Sequence, residues 1–226
     1  MNLPTAAPLA GLVWFVEHDM GYYPVIEGHN GDSVYNQAYY DNYAKMGDTD
    51  LGKRITWARL ALVDRFLRHG SVIDVGIGAG AFVEARNKGA PTYGWDINPV
   101  AIEWLTRKEL LKNPETPHPP SALSPDARKG RGLTFWDVLE HIEEPDAMLS
   151  NVEWVFCSLP LFDGPQHVLR SKHFKVREHC WYFTRNGLIN WMGQRNFVCR
   201  EHNTMESLLG REDIHSFAFQ RLEATG

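Results

Sequence analysis

Ser71-Val-Ile-Asp-Val75 followed by Gly76-Ile-Gly78-Ala-Gly80 is the stretch on which the fold turns. A short β-branched run that ends in closely spaced glycines reads as a buried strand, and the glycines then swing the chain into a helix beginning near Ala81. Upstream, Ile55, Leu60, Val63 and Leu67, with basic residues between them, predict an amphipathic helix from Asp50 to His69. Thr49 or Asp50 opens it and Gly70 stops it. Helix, strand, glycine bend and helix together make a first β-loop-α unit.

The alternation continues downstream. Thr92-Tyr-Gly-Trp-Asp96 reads as a second strand ending in an acid, and Asn98-Pro99 opens a helix with Asn98 as N-cap and Pro99 at the first helical position. Gly132-Leu-Thr-Phe-Trp-Asp137 is a strand end that feeds a short helix. Val152 to Leu159 is a further strand, and residues 184–194 are a helix capped by Thr184. Phe197-Val-Cys199 and Ser216-Phe-Ala-Phe219 close the chain as a strand pair. The pattern predicts an α/β fold with a mainly parallel sheet, flanking helices and a terminal antiparallel strand pair.

Residues 1–50 read as an N-terminal cap on a main domain spanning 51–226. Leu12 to Val16 and Tyr22 to Ile26 predict a hairpin turning at Asp19-Met20-Gly21. Tyr35, Tyr39, Tyr40 and Tyr43 follow, with Tyr39 and Tyr43 on one helix face. Two readings fit them: a helix packing its rings on the main body, or an aromatic lid over a cleft.

With 226 residues, 43% apolar and 23% charged, the chain is a globular domain rather than a disordered one. Its 28 acidic and 23 basic side chains give a net charge of −5, so no overall field draws it onto nucleic acid or an anionic membrane. Cys157, Cys180 and Cys199 are too few and too scattered for a disulfide framework or a zinc clip, which favours a reducing, cytoplasmic setting. The apolar run Leu9 to Val16 is too short to span a membrane. A Pro-rich segment runs around Pro114, Pro117, Pro119, Pro120 and Pro125.

In open parallel sheets, ligands bind beyond the carboxyl ends of the strands. Asp74, Gly76, Gly78 and Gly80 lie at the first such end, where residues without Cβ permit close backbone approach. Gly76-x-Gly78-x-x-Ala81 also satisfies a dinucleotide fingerprint, so the glycines alone do not choose between a nicotinamide and another nucleoside. Asp96, at the end of the next strand, is placed to accept both hydroxyls of a ribose.

Val72-Ile-Asp-Val-Gly-Ile-Gly-Ala-Gly80, then Gly94-Trp-Asp-Ile-Asn-Pro99, then Phe135-Trp-Asp-Val-Leu-Glu-His-Ile142 resemble, in that order, the class I S-adenosylmethionine-dependent methyltransferases. The third string is similar to the branch containing the ubiquinone-biosynthesis O-methyltransferases. His179-Cys-Trp-Tyr-Phe-Thr184 and the Tyr-Tyr-Asp-x-Tyr string at 39–43 resemble other segments of that branch. The resemblance implies a Rossmann-like fold with S-adenosyl-L-methionine as cofactor. It implies that Asp74 and the loop of Gly76, Gly78 and Gly80 hold the methionine portion, that Asp96 grips the ribose and that Ile97 flanks the adenine. Phe135, Trp136 and Asp137 would line the cofactor, and Asp126 would supply a further adenine contact.

Methyl transfer is an in-line displacement from an activated sulfonium, so the enzyme must position the acceptor and, for a hydroxyl, remove its proton. His141 is the candidate base; packing or capping of its turn is the plainer role for it. A helical turn would align Asp137, Glu140 and His141, a face able to hold a divalent ion, but Asp137 is committed to the cofactor edge and no metal is assigned. His173, His179 and Cys180 match no common zinc spacing.

Charge is uneven along the chain. Residues 135–153 hold six acids and no Lys or Arg, whereas 166–200 hold seven bases against Glu178, interleaved with Phe174, Trp181, Tyr182, Phe183 and Trp191. Such a block suits an anionic substrate or nucleobases, or simply a solvated face over core aromatics. The sequence therefore predicts methyl transfer to oxygen, or nitrogen, of a small molecule. Its alternatives are a nucleic-acid or nucleotide methyltransferase, which lacks an Asn/Asp-Pro-Pro-Tyr or Pro-Cys motif here, and a cofactor-binding protein without transferase activity. A nicotinamide dehydrogenase leaves Asp74 and the 135–142 string unexplained.

Overall fold

The computed structural model describes residues 11–24, 35–111, 131–150 and 152–222. Its main sheet has six strands: β3 (Ser71–Val75), β4 (Thr92–Trp95), β5 (Arg131–Trp136), β6 (Trp154–Pro160), β8 (Phe197–Asn203) and β9 (Ile214–Arg221). Their order is β4-β3-β5-β6-β9-β8. The first four run parallel, and β9 inserts antiparallel between β6 and β8. This is the α/β, mainly parallel architecture with its terminal antiparallel pair. The chain leaves β3 for β4 on one side and returns to β5 on the other. The crevice beyond the carboxyl ends of these three strands is thus the topological switch point, where such sheets take ligands.

Strand alternation divides the core into two layers. Ile73, Val75, Leu133, Phe135, Val155 and Cys157 face one side with Leu188, Trp191 and Met192 of α7 (Arg185–Gly193). Val72, Phe156 and Ala218 face the other, under Leu62, Val63 and Leu67 of α2 (Asp50–Leu67). Every residue of β6 is buried, as a strand covered on both faces requires.

The helix boundaries follow local chemistry. Thr49 caps α2 by accepting the Gly52 N–H at 3.0 Å, and Asn98 caps α4 (Pro99–Arg107) by accepting that of Val100. At the far end of α2, the buried Arg86 of α3 (Ala81–Arg86) donates to the carbonyls of Leu67 and Gly70 and so satisfies otherwise orphaned acceptors. Among the described residues no helix is long and apolar enough to cross a membrane.

The hairpin differs from the sequence expectation. Strands β1 (Val13–Phe15) and β2 (Met20–Tyr22) are joined by a 3-10 turn at Val16–His18, with Asp19 left-handed at φ 52°. Met20 and Gly21 belong to the strand. A Cβ on Gly21 would come within 2.9 Å of the Trp14 ring, so this glycine serves close packing rather than turning. Residues 25 and 26 lie outside the described residues, as do the Pro-rich segment and Asp126. β2 also pairs with β7 (Trp181–Phe183), making a second, three-stranded antiparallel sheet that the sequence reading did not anticipate.

Candidate active site

At the switch point, the backbone of the first glycine bend is left-handed at Gly76, Gly78 and Gly80, with φ of 73°, 57° and 81°. Only glycine takes such angles cheaply. What each glycine makes room for is protein: a Cβ would collide with Val138 at Gly76 and with the Trp104 ring, at 2.6 Å, at Gly80. At Gly78 it would crowd Tyr43, at 3.2 Å. Val138, Trp104 and Tyr43 come from three different elements, so the glycines let those elements close around the bend.

Asp96 follows β4 and folds back onto the same bend. Its two oxygens accept the N–H groups of Gly78 at 3.1 Å and Asn98 at 2.8 Å. Burial raises its pKa to about 6, against the pull of those backbone donors. The carboxylate keeps lone pairs for a ligand, since each oxygen accepts more than one bond. Asn98 also donates to the carbonyl of Asn36, the N-cap of α1 (Gln37–Asp48), which ties the tyrosine helix to this loop.

A cavity of about 330 Å³ opens beside Asp96, within the range of about 300–1,000 Å³ usual for small-molecule sites. Gly76, Gly78, Asp96, Ile97, Trp136, Asp137 and His141 line it, all of them anticipated from the sequence. Tyr35, Tyr39 and Tyr43 also line it: Tyr35 meets Tyr39 edge-on at 5.0 Å, and Tyr39 stacks on Tyr43 at 4.6 Å. Tyr40 packs instead against the core formed by Ile77, Val83, Ala101 and Leu105, so both readings of the tyrosines hold, each for part of the segment. Burial raises the pKa of Tyr35 and Tyr39, keeping both phenols neutral.

Three anticipated residues do not line the cavity. Phe135 neighbours Trp136 on a strand, so the two point to opposite faces; Trp136 reaches the cavity and Phe135 is sealed in the α7 layer. Asp74 is buried beneath the bend, accepts the Thr134 hydroxyl and has its pKa pushed up to about 8 by burial. Gly80 abuts Trp104.

Asp137 holds the least expected arrangement. Following β5 with φ 60°, it is clamped by Arg59 of α2 at 3.0 Å and by Arg211 at 2.9 Å. Both guanidinium groups also grip the fully buried Glu206 of α8 (Met205–Leu208). Burial opposes the Asp137 charge, but Arg211 and Arg59 outweigh it and hold the pKa below the usual carboxylate range. The signal for Arg59 was present in the sequence, four residues from both Ile55 and Val63 and hence on the helix face that turns inward. Nothing comparable marked Glu206.

His141 sits in a 3-10 turn, Leu139–His141, which leaves Asp137 outside it, so no α-helical turn aligns Asp137, Glu140 and His141. Its neighbours are instead Glu140 and His179, with ligand atoms of all three within 4.8 Å of one another.

A family model of a methyltransferase domain matches residues 49–202, about two thirds of the chain. The chain belongs to this family of methyltransferase domains, and it has the fold of the class I S-adenosylmethionine-dependent methyltransferases. Among solved structures, this methyltransferase is similar to the 1,6-didemethyltoxoflavin-N1-methyltransferase of Burkholderia thailandensis. The identity is 14% and the TM-score 0.61, over 93% of this chain and 99% of that one. It is similar also to the magnesium protoporphyrin IX methyltransferase of Synechocystis, at 18% identity and TM-score 0.57, over 84% and 98% of the two chains. These identities show a shared fold. No curated protein matches the sequence.

Proposed function

We propose that this methyltransferase transfers a methyl group from S-adenosylmethionine to an oxygen, with nitrogen as the alternative, of a small molecule in the cavity beside Asp96. The observation that carries the reading is the Asp96 carboxylate, fixed by the Gly78 and Asn98 N–H groups at the mouth of an aromatic-walled cavity. Asp96 accepts the ribose hydroxyls, half-exposed Ile97 flanks the adenine, and the Gly76–Gly78 backbone borders the methionine portion. Asp74 and Asp137 act from behind, the first under the bend and the second through its arginines. The bound cofactor supplies an activated methyl group.

His141 takes the acceptor's proton. The similarity of Trp136-Asp-Val-Leu-Glu-His141 to the ubiquinone-type branch supports oxygen as the receiving atom. In this reading residues 1–50 cap the catalytic domain of 51–226, with the tyrosines of α1 shielding the reacting atoms from water.

Three of the seven bases in the basic block are engaged in ion pairs. Lys172 pairs with Glu212, Lys175 with Glu178 and Arg195 with Asp146, and no Lys or Arg is among the described residues lining the cavity. A thermal-shift series with S-adenosylmethionine, S-adenosylhomocysteine, NAD and NADP tests the cofactor site, because a tight ligand raises apparent stability by mass action. Stabilisation by the two sulfur compounds alone is expected, and stabilisation by a nicotinamide nucleotide instead would overturn the reading.

A further inference from the structure

The residues that line the cavity fall into two sets. Gly76, Gly78, Asp96 and Ile97 border the edge given above to the cofactor. Much of the rest is apolar or aromatic: Tyr35, Tyr39 and Tyr43 come from α1 and the residues just before it, and Val138, Ile142 and Met148 from the segment after β5. This second set surrounds whatever shares the cavity with the cofactor, so its chemistry selects the acceptor.

What the lining lacks is a cation. No Lys or Arg is among the described residues that form it. Arg59 and Arg211 reach Asp137, but both are shared with Glu206, so two guanidinium groups face two carboxylates and no positive charge is left over for a ligand. Asp96, held by backbone N–H groups, adds a negative charge at neutral pH. A carboxylate or phosphate drawn into this cavity would give up its water and gain no charged partner, which is costly for any ion. An uncharged polar group loses far less.

The tyrosines point to the kind of molecule that fits. Tyr35 meets Tyr39 edge-on with centroids 5.0 Å apart, and Tyr39 stacks on Tyr43 at 4.6 Å with the rings 28° from parallel. Ring faces are the negative part of an aromatic quadrupole. They favour a further ring, offset or edge-on, they attract a cation, and they offer nothing to an anion. The aromatic wall and the missing cation therefore select in the same direction.

We infer that the methyl acceptor is a flat aromatic molecule carrying no anionic group, held against the tyrosines around α1, and that Tyr39 is a residue determining this specificity. The inference names the substrate class of the proposed methyl transfer and rests on that reading of the cavity.

The experiment is calorimetry on the intact protein saturated with S-adenosylhomocysteine, using probes of one shape: 6-hydroxy-2-naphthamide, 6-hydroxy-2-naphthoate, 6-(aminomethyl)-2-naphthol and the saturated decahydro-2-naphthol. The naphthamide should bind about tenfold or more tightly than the naphthoate, which has the same outline and one negative charge. It should exceed the saturated alcohol by about twofold to tenfold, the usual worth of ring-on-ring contact beyond area. The aminomethyl compound should bind no more weakly than the naphthamide. Tyr39→Leu should erase the advantage of the aromatic probes over the saturated alcohol. Tyr39→Arg, which brings a guanidinium to the wall, should shrink the deficit of the naphthoate by about fivefold or more. The charge ranking in wild type stands whether or not either variant folds. A naphthoate that binds wild type as tightly as the naphthamide would overturn the inference, and so would a saturated alcohol that matches the aromatic probes, or binding by none of the four. The affinity for S-adenosylhomocysteine is measured first. Its absence would sink the cofactor reading alone, and the same ranking is then read on the ligand-free protein.

Discussion

Asp96 and Asp137 follow β4 and β5, the parallel strands on either side of β3, and both line the same cavity, yet they are held in opposite ways. Asp96 is held by two backbone N–H groups and, among the described residues, has no ion pair with a guanidinium. Asp137 is saturated by Arg59 and Arg211, which also grip Glu206. Burial raises the pKa of the first; arginine pairing lowers that of the second. A carboxylate at a strand end is therefore not by itself a ligand group. Whether it can grip a substrate depends on what already satisfies it, and here one carboxylate keeps lone pairs open while the other fastens α2 and α8 to the end of β5.

The sharpest way to break this comparison is to remove the hidden member of the ion network. Glu206→Ala leaves two partly buried guanidinium groups sharing one carboxylate, and breaking such a network typically costs about 3–5 kcal/mol. Urea denaturation should show a loss near the lower figure, since Arg211 retains some exposure and Asp137 remains. Asp137→Ala should cost about as much, without abolishing S-adenosylhomocysteine binding in protein that remains folded. Loss of binding at unchanged stability would reverse the roles assigned to the two acids.

Asp96→Ala is the mirror experiment, with a smaller effect. Removing the proposed acceptor of the ribose hydroxyls forfeits about 1.5–3 kcal/mol, the usual worth of hydrogen bonds to a charged group, or roughly a tenfold to hundredfold weaker affinity by calorimetry. Stability should change less than in Glu206→Ala, because only backbone donors lose a partner.

The same two groups should respond oppositely to pH. Asp96 has a folded pKa of about 6 against an ordinary value of 3.8, so its contribution to the stability of the ligand-free protein is greatest below 3.8 and is lost as pH rises through 6. Asp137 is depressed, so its contribution is present above the ordinary value and is lost as pH falls below it. Cofactor affinity tracks the ionised form of Asp96 and should weaken by up to about tenfold per pH unit below 6. Calorimetry with S-adenosylhomocysteine between pH 7 and pH 5 reads this directly, and a flat profile would detach Asp96 from the ribose.

Much of this was legible in the chain because it is written in local signals. The 71–80 run, the Thr49, Asn98 and Thr184 caps and the alternation of strands and helices depend on residues close in sequence, and each formed where its chemistry placed it. What escaped was long-range. The Arg59–Asp137–Arg211–Glu206 network joins three separate parts of the chain, and β7 became a strand only because β2 was there to pair with it. Phe135 lies off the cavity for a simpler reason. A contiguous motif is not a contiguous surface, because consecutive strand residues face opposite ways.

The smallest effect expected tests the edge of the Asp96 region. Ile97 lines the cavity yet remains 52% exposed, so it contributes little to the core of the ligand-free protein. If its side chain covers one face of an adenine, ligand binding buries apolar area that folding left open. Ile97→Ala removes only part of that area, about 1 kcal/mol or less at the usual 25 cal/mol per Å². The expected result is a twofold to fivefold weaker affinity for S-adenosylhomocysteine, with the urea midpoint unmoved and the tolerance for pH as in wild type. An equal loss for adenosine alone would place the contact on the base, because that fragment lacks the methionine portion that lies toward Gly76. A loss confined to the whole cofactor would instead put Ile97 beside the amino-acid end, and the orientation proposed along the Asp96 edge would have to be reversed.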